Sequence, residues 1–514
     1  MMKHTPTSYS TMLYLNESST VPMYRQLYDG LRVAILNGQL QSGTRLQSTR
    51  ELAAELGVSR NTVLTAFEQL LAEGYLEGKT GSGTYVSTAL PEDLLAVRVP
   101  KTKATPTARA GRSLSKFGVA LAETDIERST TAHLSATHLA GSRLVDEVRV
   151  FRAGVPALDA FPNKLWAQLT AKHWHNPPAA LLSYSDAAGY QPLREAVADY
   201  LRTSRGVNCE TEQIIITAGA QQALDLTARL LLNAGDAVWL ENPGYLGARA
   251  AFLSAGARLI PVPIDEEGLS IAAGESLAPE ARLAYVTPSH QYPTGVAMTL
   301  ARRLALLDWA NQSGAWVIED DYDSEYRYSG RPLPALQGLD KEARVIYIGT
   351  FSKVLFPALR VGYMVAPPDL IAAFIAARGV LSRFTPSLEQ AVIASFINEG
   401  HFARHIRRMR RLYAERQEAL LKAAKRELNG LLEVAPHQTG MHLVGWLAAG
   451  MKDKNAAIAA AKNNVDVQPV AALSLGKYPQ NGLILGYAGY SEGQLRAGAK
   501  RLAVALQSLW YESA

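Results

Sequence analysis

The sequence predicts a multidomain chain in which a small α+β domain precedes a large α/β domain with a mostly parallel sheet. Three observations lead to this prediction. The 514 residues are too many for one hydrophobic core. Near the N-terminus, apolar residues recur at intervals of three and four, as in amphipathic helices. From about residue 148, short apolar runs alternate with helical patterns, which is typical of a parallel sheet covered by helices.

Changes in composition divide the chain into four stretches. We predict a flexible arm over residues 1–19, a small domain over 20–88, a flexible linker over 89–147 and a large domain over 148–514. The arm is rich in Ser and Thr, and the linker is rich in Ala, Ser and Thr with little periodicity.

Composition restricts the class of protein. The formal charge of +5 is too small to indicate a polyanion partner by itself. A single cysteine excludes a disulfide framework and favours a reducing cytoplasm. No signal peptide and no apolar run long enough to span a membrane is present, so we expect a cytoplasmic protein without a membrane partner.

The small domain contains three predicted helices and a hairpin. The helices begin near Pro22, after Ser48 and at Arg60, and the last two are joined by a turn that contains Gly57. Two helices joined in this way form a helix-turn-helix. Two short strands follow, over 74–76 and 83–86, and predict a wing.

The motifs of this region are specific. The run G-Q-L-Q-S-G-T-R-L-Q-S-T-R-E-L-A-A-E-L-G-V-S-R-N-T-V is followed by E-G-Y-L and G-S-G-T-Y-V. Together they resemble the winged helix-turn-helix of the GntR family over residues 20–88. Gln47 stands where that family usually has proline, which should alter the start of the second helix and leave the groove contact intact.

This resemblance implies contacts with double-stranded DNA at a promoter. The first turn of the third helix would meet base edges in the major groove, where Arg60 suits guanine and Asn61 suits adenine. The predicted DNA-binding residues are Arg45, Ser48, Arg50, Ser59, Arg60, Asn61, Thr62 and Lys79. Glutamates largely cancel the basic charge of the module, so binding should depend on one basic face and on two copies per complex. A winged helix that makes protein contacts is the alternative.

In the large domain, one lysine lies in unusual surroundings. Lys353 is the only charged residue between Arg344 and Arg360, within R-V-I-Y-I-G-T-F-S-K-V-L-F-P-A-L-R. Burial of an ammonium group in apolar surroundings lowers its pKa and leaves the free amine, which is the state that forms a Schiff base with a carbonyl compound. Thr350 and Ser352 add hydroxyls, and the guanidinium of Arg360 suits a phosphate. This combination suggests pyridoxal 5'-phosphate (PLP).

Further residues at predicted strand ends fit the same cofactor. The start of a helix at Gly219, Ala220 and Gln221 can hold a phosphate through its backbone N–H groups. Tyr245 can stack on a pyridine ring, Asp320 can pair with its protonated nitrogen, and Tyr322 can bond its hydroxyl.

A divalent metal site is the competing hypothesis for the acidic run. Carboxylates cluster there as hard oxygen ligands, namely Asp320, Asp321, Asp323 and Glu325. A metal would not explain Lys353, Arg360 or the Gly219 turn, so we expect no metal site.

The motif T-F-S-K followed by an arginine resembles the cofactor lysine motif of fold-type I aminotransferases. In S-H-Q-Y-P-T-G, Tyr292 replaces the asparagine of their N-P-T-G turn, and this puts efficient transamination in doubt. Tyr184, in L-L-S-Y-S-D, resembles the tyrosine that reaches the phosphate of the partner subunit, which implies a dimer.

A GntR-type reader, a linker and an aminotransferase-like domain, in that order, resemble the MocR/GabR-like transcriptional regulators. The resemblance implies a fold-type I PLP-dependent transferase domain with a small C-terminal subdomain. It also implies a head-to-tail homodimer and PLP held as an internal aldimine on Lys353. An amino compound, or PLP itself, would then change promoter binding. The gamma-aminobutyrate-responsive member has an arginine at the position of Gly247, so a carboxylate clamp is missing there; Arg249 is nearby.

Two other functions remain open. A catalytically active PLP-dependent aminotransferase with an accessory DNA-binding domain would release keto acid at enzyme-like rates. A DNA binder with an inactive cofactor fold would be colourless and unaffected by Lys353→Ala.

Overall fold

A computed structural model describes residues 13, 15–16, 18–79, 82–90, 118, 149–328, 334–476 and 478–513. The chain forms two compact units, Met1–Arg112 and Ser113–Ala514. Most of the predicted arm and linker lies outside the described residues. Within them, every helix is too short or too polar to cross a membrane.

The first unit contains three helices and a two-stranded antiparallel sheet. Its elements are α1 (Met23–Leu36), α2 (Thr49–Leu56), α3 (Arg60–Ala72), β1 (Leu76–Lys79) and β2 (Gly83–Val86). The first strand pairs from Leu76 with Val86 to Lys79 with Gly83. It therefore begins two residues later than the predicted strand over 74–76 and ends three residues later.

One apolar core holds this unit together. Leu27 and Leu31 of α1, Val63 and Phe67 of α3 and Val86 of β2 are almost fully buried in it. Their spacing of four along each helix explains the sequence periodicity. Leu13, from the predicted arm, also contacts this core.

The second unit is an α/β domain. Its helices are α4 (Asn163–His175), α5 (Ala179–Leu182), α6 (Gln191–Arg205), α7 (Ala220–Leu231), α8 (Leu246–Ser254), α9 (Ile271–Leu277), α10 (Leu300–Ser313), α11 (Ile371–Leu381), α12 (Ser387–Asn398), α13 (His401–Glu427), α14 (Asp453–Lys462) and α15 (Glu492–Ser513). Its strands are β3 (Ile214–Thr217), β4 (Ala237–Asn242), β5 (Arg258–Asp265), β6 (Gly268–Leu269), β7 (Leu283–Val286), β8 (Trp316–Asp321), β9 (Val345–Thr350), β10 (Gly362–Val365), β11 (Leu432–Val434), β12 (His442–Leu447), β13 (Gln468–Pro469) and β14 (Gly482–Gly486).

An eight-stranded sheet forms the centre of this unit, in the order β3-β10-β9-β8-β7-β4-β5-β6. Strands β9, β8, β7, β4 and β5 are parallel, whereas β10 runs antiparallel to both of its neighbours. The central strands are buried on both faces, which is why they read as continuous apolar runs. The mostly parallel sheet confirms the predicted fold class.

The C-terminal part contains a smaller antiparallel sheet, in the order β11-β12-β14-β13. Helices α13, α14 and α15 contribute to one core with this sheet, through residues such as Tyr413, Ala456 and Leu502. This sheet and its helices are the predicted small C-terminal subdomain.

Candidate functional site

The first turn of α3 is open to solvent. Arg60 and Asn61 are exposed, and Thr62 is half-buried. Ser59 is the N-cap: its hydroxyl accepts a hydrogen bond from the backbone N–H of Thr62 at 3.1 Å. This cap fixes where the helix begins, so the predicted base-contacting side chains project from a rigid turn.

Other predicted DNA contacts also have structural roles. Ser48 caps α2 in a capping box with Glu51. The ammonium of Lys79 lies 3.6 Å from Glu77 and 5.0 Å from the centre of the Tyr85 ring. Gln47, which stands in place of proline, donates to Glu55 at 2.5 Å beside α2. Arg45 and Arg50 are exposed.

In the second unit, predicted cofactor residues meet at one edge of the large sheet. Asp320 lies near the end of β8, Lys353 follows β9, Arg360 precedes β10 and Gly219 follows β3. These four strands are neighbours. The edge formed by the C-terminal ends of parallel strands is where ligands bind in such folds.

Lys353 is held by a backbone carbonyl. Its Nζ donates to the carbonyl oxygen of Gly154 at 3.0 Å. A Cβ on Gly154, whose φ is +73°, would lie 2.5 Å from that nitrogen, so a larger residue would displace the amine. Burial lowers the pKa of Lys353, while the carboxyl groups of Asp323 and Asp320 oppose this shift. No sequence pattern indicated the Gly154 contact, because it joins distant parts of the chain.

Asp320 is buried and has one oxygen available. Tyr285 donates its hydroxyl proton to Asp320 Oδ2 at 2.8 Å, while Oδ1 has no hydrogen-bond partner among the described residues. Burial raises the pKa of Asp320 to about 7, and the hydrogen bond from Tyr285 acts in the opposite direction. A buried, unpaired carboxylate oxygen is costly unless a ligand donates to it.

Arg360 lies beside the start of α7. Its guanidinium donates to the carbonyl oxygen of Ala218 at 3.0 Å and lies 3.6 Å from the position of a Cβ on Gly219. Arg360 has a φ of +50° and Gly219 one of +99°. The guanidinium and the first N–H groups of α7, from Ala220 and Gln221, therefore lie at one place that suits an anion.

The two hydroxyls near Lys353 differ. The buried Thr350 accepts from the backbone N–H of Ser352 at 3.2 Å and so shapes the turn after β9. The half-buried Ser352 remains the better placed of the two to donate to a ligand.

Three tyrosine rings line the same edge. The centre of the Tyr292 ring lies 6.2 Å from that of Tyr245 and 6.0 Å from that of Tyr322. The charges that act on the Tyr245 hydroxyl come from Asp320 and Arg360. Tyr292 donates to Gln468 at 3.1 Å, so its hydroxyl is directed towards the small sheet.

A histidine cluster behind Tyr322 was not predicted. His290 Nδ1 lies 3.0 Å from Asp323 Oδ2 and 3.0 Å from the Tyr322 hydroxyl. His442 and His437 lie beside it, with ring centres 5.1 and 5.9 Å away. Burial lowers the pKa of all three histidines, to about 3 for His290, so they are neutral.

The proposed ligands of the competing metal hypothesis have other partners. Asp321 forms a buried ion pair with Arg205 at 2.8 Å, and Glu325 accepts from Tyr200 at 2.9 Å. A different group, His290, Asp323 and His442, has ligand atoms within 4.8 Å of one another. In that group, His290 Nδ1 is within hydrogen-bonding distance of Asp323, and His442 Nε2 is used by the Pro293 carbonyl.

Tyr184 lies apart from the other predicted cofactor residues. Its side chain is 81% exposed. It contacts Phe384, with ring centres 6.2 Å apart, and the guanidinium of Arg383 at 5.8 Å. The structure does not bring it to the amine of Lys353 within one chain.

Two family descriptions match the chain. Residues 23–86 match "Bacterial regulatory proteins, gntR family", and residues 153–502 match "Aminotransferase class I and II".

Several known proteins are similar over most of their length. The "Probable rhizopine catabolism regulatory protein MocR" of Rhizobium meliloti is 43% identical over 97% of this chain and 96% of its own. The "HTH-type pyridoxine biosynthesis transcriptional regulator PdxR" of Corynebacterium glutamicum is 31% identical over 94% of this chain and 95% of its own. Among solved structures, LysN of Thermus thermophilus, an alpha-aminoadipate aminotransferase complexed with N-(5'-phosphopyridoxyl)-L-leucine, is 34% identical. It covers 72% of this chain and 94% of its own, with a TM-score of 0.66.

Proposed function

This chain belongs to the MocR-type transcriptional regulators, in which a gntR-type DNA-binding module precedes an aminotransferase class I and II domain, and we propose which ligands its second unit binds. In this proposal, Lys353 carries PLP. An amino compound, or PLP itself, then changes the binding of the first unit to a promoter.

The residues at the sheet edge fit PLP. The observation that carries the proposal is Lys353, whose amine has a lowered pKa and is held 3.0 Å from the Gly154 carbonyl oxygen. The free Oδ1 of Asp320 is suited to a protonated ring nitrogen. The guanidinium of Arg360 and the start of α7 at Gly219 are suited to a phosphate.

When bound, PLP supplies an aldehyde that joins an amine and a ring that accepts electrons. The protein groups bind and orient it. The carboxylate of Asp320 would hold a proton on the ring nitrogen, and Tyr245 would cover one face of the ring. Ser352 and Thr350 would add hydroxyls to the phosphate side.

Tyr322 would donate to the ring hydroxyl. His290 Nδ1 can take part in one hydrogen bond along its ring plane, either as N–H donor or as lone-pair acceptor. The carboxyl group of Asp323 can form that hydrogen bond whether it is ionised or protonated. In the first state Nδ1–H donates to Asp323, and in the second Asp323 donates to Nδ1. With Nδ1 engaged by Asp323 in this way, the Tyr322 proton is left to donate into the site.

We further propose a head-to-tail homodimer in which Tyr184 reaches the phosphate site of the partner subunit. Exposed apolar side chains support an interface here: Leu182 is 62% exposed and Val380 is 86% exposed. The segment that follows Val380 packs against the region of Tyr184 through Arg383 and Phe384. An apolar surface of this kind is typical of an interaction site.

Absorption spectroscopy tests the cofactor. Purified protein with added PLP should show the visible absorbance of PLP bound to a lysine, and Lys353→Ala should abolish it. Lys422→Ala is the matched control, because Lys422 is an exposed surface lysine paired with Glu418. Wild-type protein that stays colourless with PLP would contradict the proposal.

DNA binding gives the second readout. Protection of the DNA upstream of the gene should change when an amino compound is added to wild type and should not change for Lys353→Ala. Keto acid released at about 1 per second or faster would instead support the alternative of a working aminotransferase.

A further inference from the structure

An apolar surface borders the amine of Lys353, and it restricts which amino compounds the site can bind. We propose that the amino compound recognised here is a primary amine whose remainder carries no carboxylate. This inference rests on the proposed function. The surface, called the apolar wall below, consists of the buried Val444, Val470, Leu473 and Ile484 with Ala153, Leu246, Tyr292, Trp446 and Tyr478 packed against them.

The position of the apolar wall follows from its edge residues. Ala153 precedes Gly154, whose carbonyl oxygen accepts from Lys353 Nζ. Leu246 follows Tyr245, and the ring of Tyr292 lies 6.2 Å from that of Tyr245. The wall therefore extends from the Lys353 amine to the rings that line the site.

None of these nine side chains is charged. Two arginines must be considered near the site: Arg360 is at the other end, where it donates to Ala218, and Arg249 lies on α8 with its Nε buried and without a partner among the described residues. Position 247 also cannot supply a cation. A Cβ on Gly247 would lie 2.4 Å from the Tyr245 ring and 2.4 Å from Gln221 Oε1, so a side chain there would displace both.

The ionisable side chains that act on the Lys353 amine are the carboxyl groups of Asp323 and Asp320, and Glu241 is buried against Thr287 and Gln291. Burial raises the pKa of Asp320 and of Glu241 to about 7, so above that pH these carboxylates attract an ammonium ligand. The carboxylate of an amino acid would instead lose its hydration against an apolar wall without a partner, which is costly.

Matched pairs of probes test the inference on PLP-loaded full-length protein. Each pair differs only by the carboxylate: 2-phenylethylamine against L-phenylalanine, and 3-methylbutylamine against L-leucine. The readout is the concentration that gives a half-maximal change in the visible absorbance of the bound cofactor. We expect both amines to act at concentrations at least about tenfold lower than those of their amino acids.

The outcomes separate this inference from the proposed function. If the cofactor absorbance is present and the amino acids act at equal or lower concentrations, the carboxylate is accepted and the inference is wrong. It is also wrong if the absorbance is present and none of the four probes changes it. If no absorbance develops with PLP, the proposed function itself fails, and this inference fails with it.

Adding a cation to the apolar wall should reverse the preference. Leu246→Arg lies at the half-buried edge of the wall, and Val504→Arg is the matched control because Val504 is 58% exposed on α15. The first variant should lower the half-maximal concentration of L-phenylalanine and the second should not. Arg249→Ala should not change the wild-type order; a change would mean that this cation serves as a carboxylate partner.

Discussion

The hydroxyl oxygen of Tyr322 lies 3.0 Å from Nδ1 of His290, and the same nitrogen lies 3.0 Å from Asp323 Oδ2. When Asp323 occupies the single proton position of that nitrogen, the phenol of Tyr322 keeps its own proton for another acceptor. His290 is therefore a positioning residue: it contacts Tyr322, and Tyr322 would contact the proposed cofactor.

We predict that Tyr322→Phe raises the pH at which bound PLP changes colour, because a lost donor no longer stabilises the ring oxygen as an anion. A hydrogen bond of about 0.5–1.5 kcal/mol corresponds to a shift of about 0.4–1 pH unit. His290→Phe should shift the same midpoint in the same direction by a smaller amount. The measurement is a spectrophotometric pH titration of the loaded protein.

His405→Phe, at another buried neutral histidine, is the control and should leave the midpoint unchanged. An unchanged midpoint in Tyr322→Phe would show that this phenol does not contact the ring.

Removal of the Tyr285 hydroxyl should weaken PLP binding in a pH-dependent way. Burial raises the pKa of Asp320 to about 7, and the hydrogen bond from Tyr285 holds that pKa down. In Tyr285→Phe the pKa of Asp320 should rise further, so less carboxylate is available for the ring nitrogen below about pH 8. We expect PLP affinity to fall by up to about tenfold at pH 6.5 and to recover as pH rises.

Tyr347→Phe is the control for this prediction. Tyr347 donates to the neighbouring carboxylate of Asp321 at 2.6 Å, so it removes the same kind of hydrogen bond one residue away. It should not change the pH dependence of PLP binding. Equal effects in the two variants would indicate a structural cause and would exclude a specific role for Tyr285.

The elements that local sequence determines were predictable. Apolar periodicity identified α1, α2 and α3, and the short apolar runs predicted as strands of the large domain include β3, β4, β7, β8 and β9. The GntR and aminotransferase motifs predicted the order of the two units and the family, and the comparisons confirm both. Lys353 could be identified because it is the only charged residue in an apolar run, which is rare for a lysine.

Contacts between distant residues were not predictable. Gly154 lies 199 positions from Lys353, and no periodicity connects them. The histidine cluster brings His290 together with His437 and His442, which belong to the C-terminal region. Its only sequence signal was three histidines within apolar or turn segments, where burial would be expected to keep them neutral. The competing metal hypothesis placed the carboxylates of the acidic run around one ion, whereas Asp321 and Glu325 take separate partners through tertiary contacts.

Arg60→Ala should weaken specific DNA binding and relax the preference for guanine. Arg60 is exposed at the first position of α3, and a lost bidentate base contact costs about 1–3 kcal/mol, or about 5–150-fold in affinity. The measurement is fluorescence anisotropy with the upstream DNA and with a site mutated at one guanine. Arg25→Ala, on α1 and paired with Asp29, is the control. If Arg60→Ala binds like wild type, the winged helix makes other contacts, as the protein-contact alternative holds.

Val380→Glu should convert the proposed dimer to a monomer. Val380 is 86% exposed within one chain, so the change should not disturb its folding, yet a charge in an apolar interface is unfavourable. Light scattering after size exclusion should give about half the wild-type mass. Val504→Glu, also exposed, should keep that mass. A dimer that survives Val380→Glu would place the interface elsewhere.

Glu241→Gln should stabilise the PLP-free protein, and the gain should grow with pH. Glu241 is buried, and burial raises its pKa to about 7, above the ordinary value of about 4.3. The folded state therefore binds a proton that the unfolded state has released, so the stability contributed by this group is present at low pH and is lost as pH rises towards 7. Glutamine cannot ionise and escapes this loss. We expect the Tm difference between the variant and wild type to become more positive from pH 5 to pH 8. Glu433→Gln, at an exposed strand position, should show no such trend. A difference that stays constant with pH would mean that Glu241 is already ionised at pH 5, held by the donors Thr287 and Gln291.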